Sequence, residues 1–357
     1  DNRRSRGLGD VYKRQTVASR ESCTLRPITS ISRRLKRFES EEKAPTRFGI
    51  MTENCLTKSL RLLTSSLTVI YRIQIFIRIF AFVQSASRPD SPSVTEDYLS
   101  RFSGISRLYG MASLERFSKA HVMVVGLGGV GSWALEALAR SGVGQFTLVD
   151  LDDLCLTNTN RQIHATSDTI GQSKAIVLAK RILQINPEAR CNVEQTFYSA
   201  KNSEDLLSDT PDAVVDAIDS VHAKCHLLAT CHKKNIPIIT SGGAGGRIDA
   251  SQIQLDDLSR TFGDALLLSV RKRLRSEYRF PKAEKKAPKF GIPAIFSPES
   301  PIFPTCDGKT STIRPETMPG GIKCDSGYGA ATHLTATFGN LLAGWILKKI
   351  QAADPAP

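Results

Sequence analysis

An uninterrupted apolar run from Val122 to Val125 gives way to glycines at 126, 128, 129 and 131. Apolar residues then resume at helical spacing from Trp133 to Leu138. Four consecutive apolar residues predict a strand buried on both faces, the glycines a tight turn, and the resumption a helix. A second run, Phe146 to Val149, ends at Asp150 and completes a β-α-β unit. The alternation continues with a helix over Ala175 to Ile185, stopped by Asn186-Pro187, and another over about 221–234. Further strands are expected at Asn192 to Thr196, Ala213 to Asp216 and Ile236 to Thr240. Ser251 to Leu255 alternates polar and apolar and predicts an antiparallel extension. One or two short helices are expected over 94–118, and an apolar helix packed on the core over Ala330 to Ile350. Strands alternating with helices predict an α/β fold with a doubly wound, mostly parallel sheet.

The glycines make that prediction Rossmann-like. Gly126 takes the turn, Gly128 and Gly129 let a phosphate approach the backbone, and Gly131 lets helix and strand pack closely. The helix start then offers unpaired N–H groups and the positive end of its dipole to an anion. Asp150 stands where an acid can hold ribose hydroxyls. A dehydrogenase would need no more than this, and would leave Asn158, Arg161, Gln162, Lys174 and Asp219 without a role. Nucleotidyl transfer requires cations on the phosphates while an α-phosphorus is attacked. Arg161 can clamp phosphate oxygens bidentately and Lys174 adds a point charge. Asp219, just beyond the strand Ala213 to Asp216, is expected to hold Mg2+.

Composition alters the picture mainly at the front of the chain. The formal net charge of +13 is uneven: residues 1–100 carry 18 Lys and Arg against 10 Asp and Glu. The first residue is Asp, the first methionine is Met51, and Asp1 to Gln15 is expected to be upstream or vector-derived translation. From Met51 onward Lys58, Arg61, Arg72, Arg78 and Arg88 face only Glu53 before Asp90, with many Ser and Thr. That is the composition of an organellar transit segment, mitochondrial or plastid, the alternative being untranslated sequence and a cytoplasmic enzyme. Leu62 to Val83 is apolar but interrupted by Arg72, Gln74 and Arg78. A spanning helix would bury each arginine at roughly 2.5–3.5 kcal/mol, so an interfacial or cleaved segment touching the membrane peripherally fits better. The eight cysteines form no C-x-x-C pair, which favours reduced thiols and argues against paired zinc knuckles. Cys225 and Cys231 are expected in the core. Three segments result: a leader over 1–93, a nucleotide-binding domain over 94–255, and a basic segment with a closing helix over 256–357.

Gly-x-Gly-Gly-Val-Gly-Ser, Asp150-x-Asp152 with Asn158-x-Asn-Arg161-Gln162, Gly-Gln-Ser-Lys174 and Val-Asp-Ala-Ile-Asp219 resemble the ubiquitin-activating-enzyme-like family of ATP-dependent adenylating enzymes. Arg101-Phe-Ser-Gly-Ile-Ser-Arg107-Leu-Tyr-Gly110, Cys324-Asp-Ser-Gly-Tyr-Gly-Ala-Ala-Thr332 and Thr335-Ala-Thr-Phe-Gly339 resemble one branch of it, the dehydratases of threonylcarbamoyladenosine in tRNA. The similarity spans about residues 97–350. It implies ATP on Gly129 and its neighbours, with Asp150 at the ribose and Asp152 and Gln162 in the same site. Asn158, Arg161 and Lys174 would meet the triphosphate, and Asp219 the magnesium. Arg107 matches an arginine that reaches into a partner's active site, which implies a homodimer. The implied reaction activates the threonyl carboxylate beside the anticodon, and the carbamoyl group then closes a ring. A sulfur-relay partner and a catalytic role for Cys324 are open within the same resemblance. So is activation of a ubiquitin-like or sulfur-carrier protein.

The resemblance gives a meaning to a basic stretch. Arg271, Lys272, Arg273, Arg275, Arg279, Lys282, Lys285, Lys286 and Lys289 oppose only Glu277 and Glu284. Such a patch suits tRNA phosphates, with Tyr278, Phe280 and Phe290 available to stack on unpaired bases. A solvated helix face is the alternative.

Overall fold

A computed structural model describes residues 94–283, 288–305, 307–313 and 328–352. The leader over 1–93, with Leu62 to Val83, lies outside the described residues, as do Lys285, Lys286 and Cys324. Among the described residues no helix is long and apolar enough to cross a membrane.

Helices α1 (Glu96–Tyr109) and α2 (Met111–Lys119) lead into β1 (His121–Val125), α3 (Gly131–Arg140) and β2 (Gln145–Val149). Then come α4 (Lys174–Ile185), β3 (Arg190–Glu194), the single turn α5 (Ser203–Leu206), β4 (Ala213–Asp216), α6 (Val221–Lys234) and β5 (Ile238–Ser241). Strand β6 (Gln254–Asp257), α7 (Ala265–Glu277), β7 (Pro293–Phe296), the short strands β8 (Phe303–Pro304) and β9 (Thr310–Ser311), and α8 (Thr332–Gln351) complete the order. The main sheet runs β3-β2-β1-β4-β5-β7-β6, parallel throughout except for the antiparallel β6–β7 pair. The expected α/β fold and its antiparallel extension are both present.

Apolar clusters cover the two faces. One joins α3, α4 and α8 to Val122, Val124, Phe146 and Leu148. The other joins α6 and α7 to Met123, Val125 and Val214. Alternate residues of β1 therefore face opposite layers, the requirement that made its sequence apolar throughout. Cys225 and Cys231 are buried in the second cluster, as expected, and burial pushes their thiols up to about 11 and about 12.

Local differences from the sequence pattern have simple causes. Strand β3 starts at Arg190 rather than Asn192, because Arg190 N–H reaches Gly144 O and aligns it with β2. Residues 250–252 form a 3-10 turn capped by Asp249, so the antiparallel strand starts at Gln254. The boundary expected at residue 255 falls inside β6. Strand β7, which the pattern did not indicate, inserts between β5 and β6 from beyond that boundary. Pro293 interrupts its apolar run, which Gly291 and Pro298 bracket, so the pattern there reads as a loop.

Packing is close at the glycine turn. Gly126 has φ +88°, and a Cβ there would lie 2.8 Å from Ala217 O; a Cβ on Gly131 would lie 1.8 Å from Gly126 O. Helix α8 approaches as closely, since a Cβ on Gly339 would lie 2.6 Å from Val130 O. Gly131→Ala should therefore lower stability by about 3 kcal/mol or more, since the obstructing atom is backbone and cannot rotate away. Denaturant titration beside wild type measures it, and a loss under 1 kcal/mol would contradict the packing described.

Candidate active site

Strand register sets the site. Val125 pairs with Val149 on one side and Asp216 on the other, and Asp216 pairs with Thr240. Three residues beyond these four aligned positions stand Asp152, Gly128, Asp219 and Gly243. Parallel strands deliver their carboxyl ends to one edge, where open α/β sheets bind ligands. Two carboxylates and two side-chain-free positions thus lie on the loops that leave that edge.

Asp150 holds the glycine turn. Its Oδ2 accepts the N–H of Leu127 at 2.7 Å and its Oδ1 the N–H of Asp152 at 2.9 Å. Burial pushes its carboxyl above the ordinary range, against the pull of those donors. Each oxygen keeps one lone pair for a further donor.

Lys174 is placed by a local pairing. Segment 152–154 lies antiparallel to 171–174 through the Asp153–Ser173 bridge and the Leu154 N–H to Gln172 O bond of 2.8 Å. Lys174 thereby opens α4 beneath Asp152, its Nζ 2.8 Å from Asp152 Oδ2. The lysine side chain is 8% exposed and the aspartate 52% exposed, so the cation is held from the side and leaves the outer carboxylate to solvent.

Arg161 lies across the glycine turn. A Cβ on Gly129 would meet Arg161 Cγ at 3.3 Å and Thr335 Cγ2 at 3.2 Å. The guanidinium donates to Thr157 O at 2.9 Å and to Asn160 Oδ1 at 3.1 Å. Its own carbonyl accepts from Trp133 Nε1 at 3.0 Å and Thr335 Oγ1 at 3.3 Å. Asn160 Nδ2 in turn donates to Ala330 O at 2.7 Å, so the start of α8 braces the arginine loop. Asn158 is buried and its Oδ1 accepts the N–H of Cys155, which makes it a turn-former whose amide group remains for other contacts. Gln162 is buried beside it with Oε1 unpartnered.

Asp219 is exposed just past the end of β4. Arg107 is exposed on α1, whose other face buries Tyr98 and Phe102. The basic stretch divides. Lys272, Arg279, Lys282 and Lys289 are exposed, but Arg271 is 9% exposed and donates to Thr261 Oγ1. Arg273 pairs with Glu277, while Arg275 lies 5.2 Å above the Phe290 ring and donates to Pro281 O. Phe280 and Phe290 belong to the core beneath α7 and meet edge to face, ring centroids 4.9 Å apart. The expectation that these two rings and Arg271 face RNA is corrected: they are inward-facing residues of an amphipathic helix and its return. Sequence reasoning also missed Ser241-Gly-Gly-Ala-Gly-Gly246, the loop beyond β5. Arg247, buried against Asp264 at 3.4 Å, clamps it by donating to Gly243 O. A strand followed by four glycines in five positions was the available signal.

These residues fit a nucleotide and a hard cation. A Cβ on Gly128 would meet nothing within 4 Å, and φ there is ordinary, so neither folding nor packing requires glycine at that position. Buried Ser132 Oγ, Ser173 Oγ and Gln162 Oε1, on elements bordering the turn, have no partner. Mg2+ takes one or two carboxylates and completes its shell with phosphates and water, which suits Asp219. Among the described residues no group of three or more His, Cys, Asp or Glu could hold a metal.

A model described as the ThiF family matches residues 100–356. The chain is 46% identical over 260 residues to the tRNA threonylcarbamoyladenosine dehydratase of Escherichia coli (strain K12), across 72% of this chain and 96% of that one. A crystal structure of the E. coli tRNA N6-threonylcarbamoyladenosine dehydratase in complex with ATP superposes with a TM-score of 0.65 at 44% identity, over 73% of this chain and 97% of that one. The sulfur carrier protein ThiS adenylyltransferase of the same strain is 32% identical over 131 residues, across 37% of this chain and 52% of that protein.

Gly128→Ala should leave stability within about 0.5 kcal/mol of wild type, as for a surface change, yet weaken ATP at least tenfold. Calorimetric titration with ATP reads this, and unchanged affinity would remove the glycine turn from the site. His164, two residues past Gln162, gives a pH prediction. Burial first, then Lys174 and Arg181, lowers its pKa from 6.5 to about 3, and neither ring nitrogen has a partner. The unfolded chain protonates this ring near 6.5 while the folded chain stays neutral, so stability is lost as pH falls from 6.5 towards 3. Denaturant midpoints over that range should fall more steeply for wild type than for His164→Leu, and parallel curves would show the folded ring to be charged.

Proposed function

The chain belongs to the ThiF family, and from that premise we propose that it is a tRNA threonylcarbamoyladenosine dehydratase that uses ATP to cyclise the modified adenosine next to the anticodon. The length of the match carries this reading. It takes in nearly all of the dehydratase, whereas the likeness to the carrier-activating enzyme covers only about half of that protein.

ATP is the co-substrate. The threonyl carboxylate attacks its α-phosphorus and pyrophosphate leaves. The carbamoyl group of the same side chain then attacks the activated acyl carbon, and AMP departs with one carboxylate oxygen as the ring closes. Nucleophile and acyl group share one side chain, so the closure gains the proximity advantage of an intramolecular reaction. Gly126, Gly128, Gly129 and Gly131 with the start of α3 receive the phosphates. Arg161 and Lys174 neutralise them, with Asn158 and Gln162 alongside. Asp150 and Asp152 face the ribose, Asp150 through the lone pairs that Leu127 and Asp152 leave open. Asp219 would hold Mg2+, which supplies charge neutralisation on the phosphates when bound.

The exposed surface and the family supply further assignments. Arg107, exposed on α1, suits a residue completing a second copy's site, hence a homodimer. Lys272, Arg279, Lys282 and Lys289, with Arg273 and Arg275 at the edge and Lys285 and Lys286 by sequence, give tRNA a basic surface. A sulfur-relay protein and a peripheral membrane contact through the leader are further partners that its composition and family allow.

Purified protein incubated with ATP, magnesium and tRNA bearing threonylcarbamoyladenosine should convert that nucleoside to a product lighter by one water, read by mass spectrometry of the digested tRNA. Arg161→Ala should slow the conversion by about 10²–10³-fold. An unchanged nucleoside, with ATP–pyrophosphate exchange only after a ubiquitin-like protein is added, would replace this reading with carrier activation.

A further inference from the structure

Beneath Asp219 lies a charged pair that the chemistry above does not use. Asp216 at the end of β4 and Lys224 on α6 are both fully buried, with Lys224 Nζ 2.9 Å from Asp216 Oδ2. Lys224 Nζ also donates to Ile218 O at 2.8 Å. Asp216 Oδ1 accepts the N–H of Ile218 at 3.1 Å, and its Oδ2 accepts Thr240 Oγ1 at 2.7 Å. Both backbone polar groups of Ile218 therefore end on one ion pair, and Ile218 is the residue immediately before Asp219.

Stability alone does not account for this arrangement. The other buried residues of α6 are Cys225, Leu227, Leu228 and Cys231, and an apolar residue at 224 could pack among them. Buried ion pairs replaced by apolar groups of similar volume commonly leave stability unchanged or raised. What an apolar pair could not do is hold the Ile218 peptide from both ends. The opposite side of the same turn is closed by packing: Ala217 O would lie 2.8 Å from a Cβ on Gly126, and Ala217 Cβ 3.3 Å from one on Gly131. The turn is thus wedged by the glycines and tied by the ion pair, while the Asp219 side chain beyond it is exposed.

We propose that Asp216 and Lys224 are positioning residues whose buried pair fixes the 217–220 turn, so that the Asp219 carboxylate is aimed before nucleotide and metal arrive. This rests on the reading of Asp219 as the holder of the magnesium ion. A carboxylate on an untied turn would have to be ordered at each binding event, and that entropy would weaken the metal rather than the nucleotide.

The test uses the full chain with manganese as the probe, titrated by electron paramagnetic resonance in the presence of a non-hydrolysable ATP analogue. Lys224→Met and the charge-free double variant Asp216→Asn/Lys224→Met should bind manganese about tenfold or more weakly, the size of effect seen when outer-shell partners of a metal are removed. Metal-free binding of the analogue should change by less than about twofold, as befits residues that do not touch it. Hydrogen exchange at the Ile218 amide should speed up in both. The double variant leaves no unpaired buried charge, so it keeps the experiment decisive where the single variant unfolds. Wild-type manganese affinity in the folded double variant, with Asp219→Asn weakened as a control, would overturn the positioning role alone. An Asp219→Asn control that binds manganese normally would overturn the metal reading and the proposal with it.

Discussion

Gly131 lets the first turn of α3 meet the backbone at Gly126 with no room for a side chain, and the geometry of the site depends on that approach. It sets the helix N-terminus at the carboxyl edge of β1. It also leaves space on the other side for the turn after β4, whose Ala217 packs on both glycines. A helix displaced by one methyl group would move the N–H groups at the start of α3 and the Asp219 turn together. Asp150 tightens the same junction, because one carboxylate fixes both the Leu127 amide of the glycine turn and the Asp152 amide that begins the lysine loop.

Charge in this molecule is sorted by burial. Two pairs are withdrawn from solvent, Lys224 with Asp216 and Arg247 with Asp264, and a third carboxylate, Glu136, is buried beneath two arginines, Arg140 and Arg181, that stay partly in solvent. Glu136 shows the balance. Burial pushes its carboxyl up, and the hydrogen bonds from Arg181 and Arg140 overcome that and hold it below the ordinary range. Exposed pairs such as Arg101 with Asp97 are screened and worth little, typically 0–1 kcal/mol. Lys174 stands between these classes. It is buried along its length yet paired to a carboxylate that faces solvent, which gives a cation of fixed position and open approach.

The strand-turn-helix of Val122 to Leu138 was legible because three local signals coincide there: an apolar run, a glycine pattern and a resumed helical period. The carboxyl edge of the sheet, proposed to take the nucleotide, was legible for the same reason, since residues placed just after strands in an α/β sequence arrive at one edge whatever their partners. Asp150 and Asp219 closely follow β2 and β4, whereas Lys174 opens α4 beneath Asp152 and Arg161 packs on Gly129, so both are placed by contacts distant in sequence. Less was legible where a segment's meaning is relative. Arg271, Phe280 and Phe290 belong to a basic stretch in sequence, but a helix has two faces, and only packing against the second apolar cluster shows which residues turn inward. Strand β7 opens on Pro293 between Gly291 and Pro298 and joins the sheet out of chain order, so no local pattern marks it.

The sequence by itself determined the periodicities, the glycine turn, the uneven charge and the order of strands and helices, because each is a property of neighbours along the chain. Tertiary structure alone decided the alignment of Val149, Val125, Asp216 and Thr240, from which the loops of Asp152, Gly128, Asp219 and Gly243 leave one edge, for strand register is a relation between distant segments. It also decided that Thr335 and Ala330 brace the arginine loop from the far end of the chain. The union of Lys224 with Asp216 is of the same kind: two charges eight residues apart become one buried pair only when α6 folds back over β4 and excludes the water that would otherwise hold them apart.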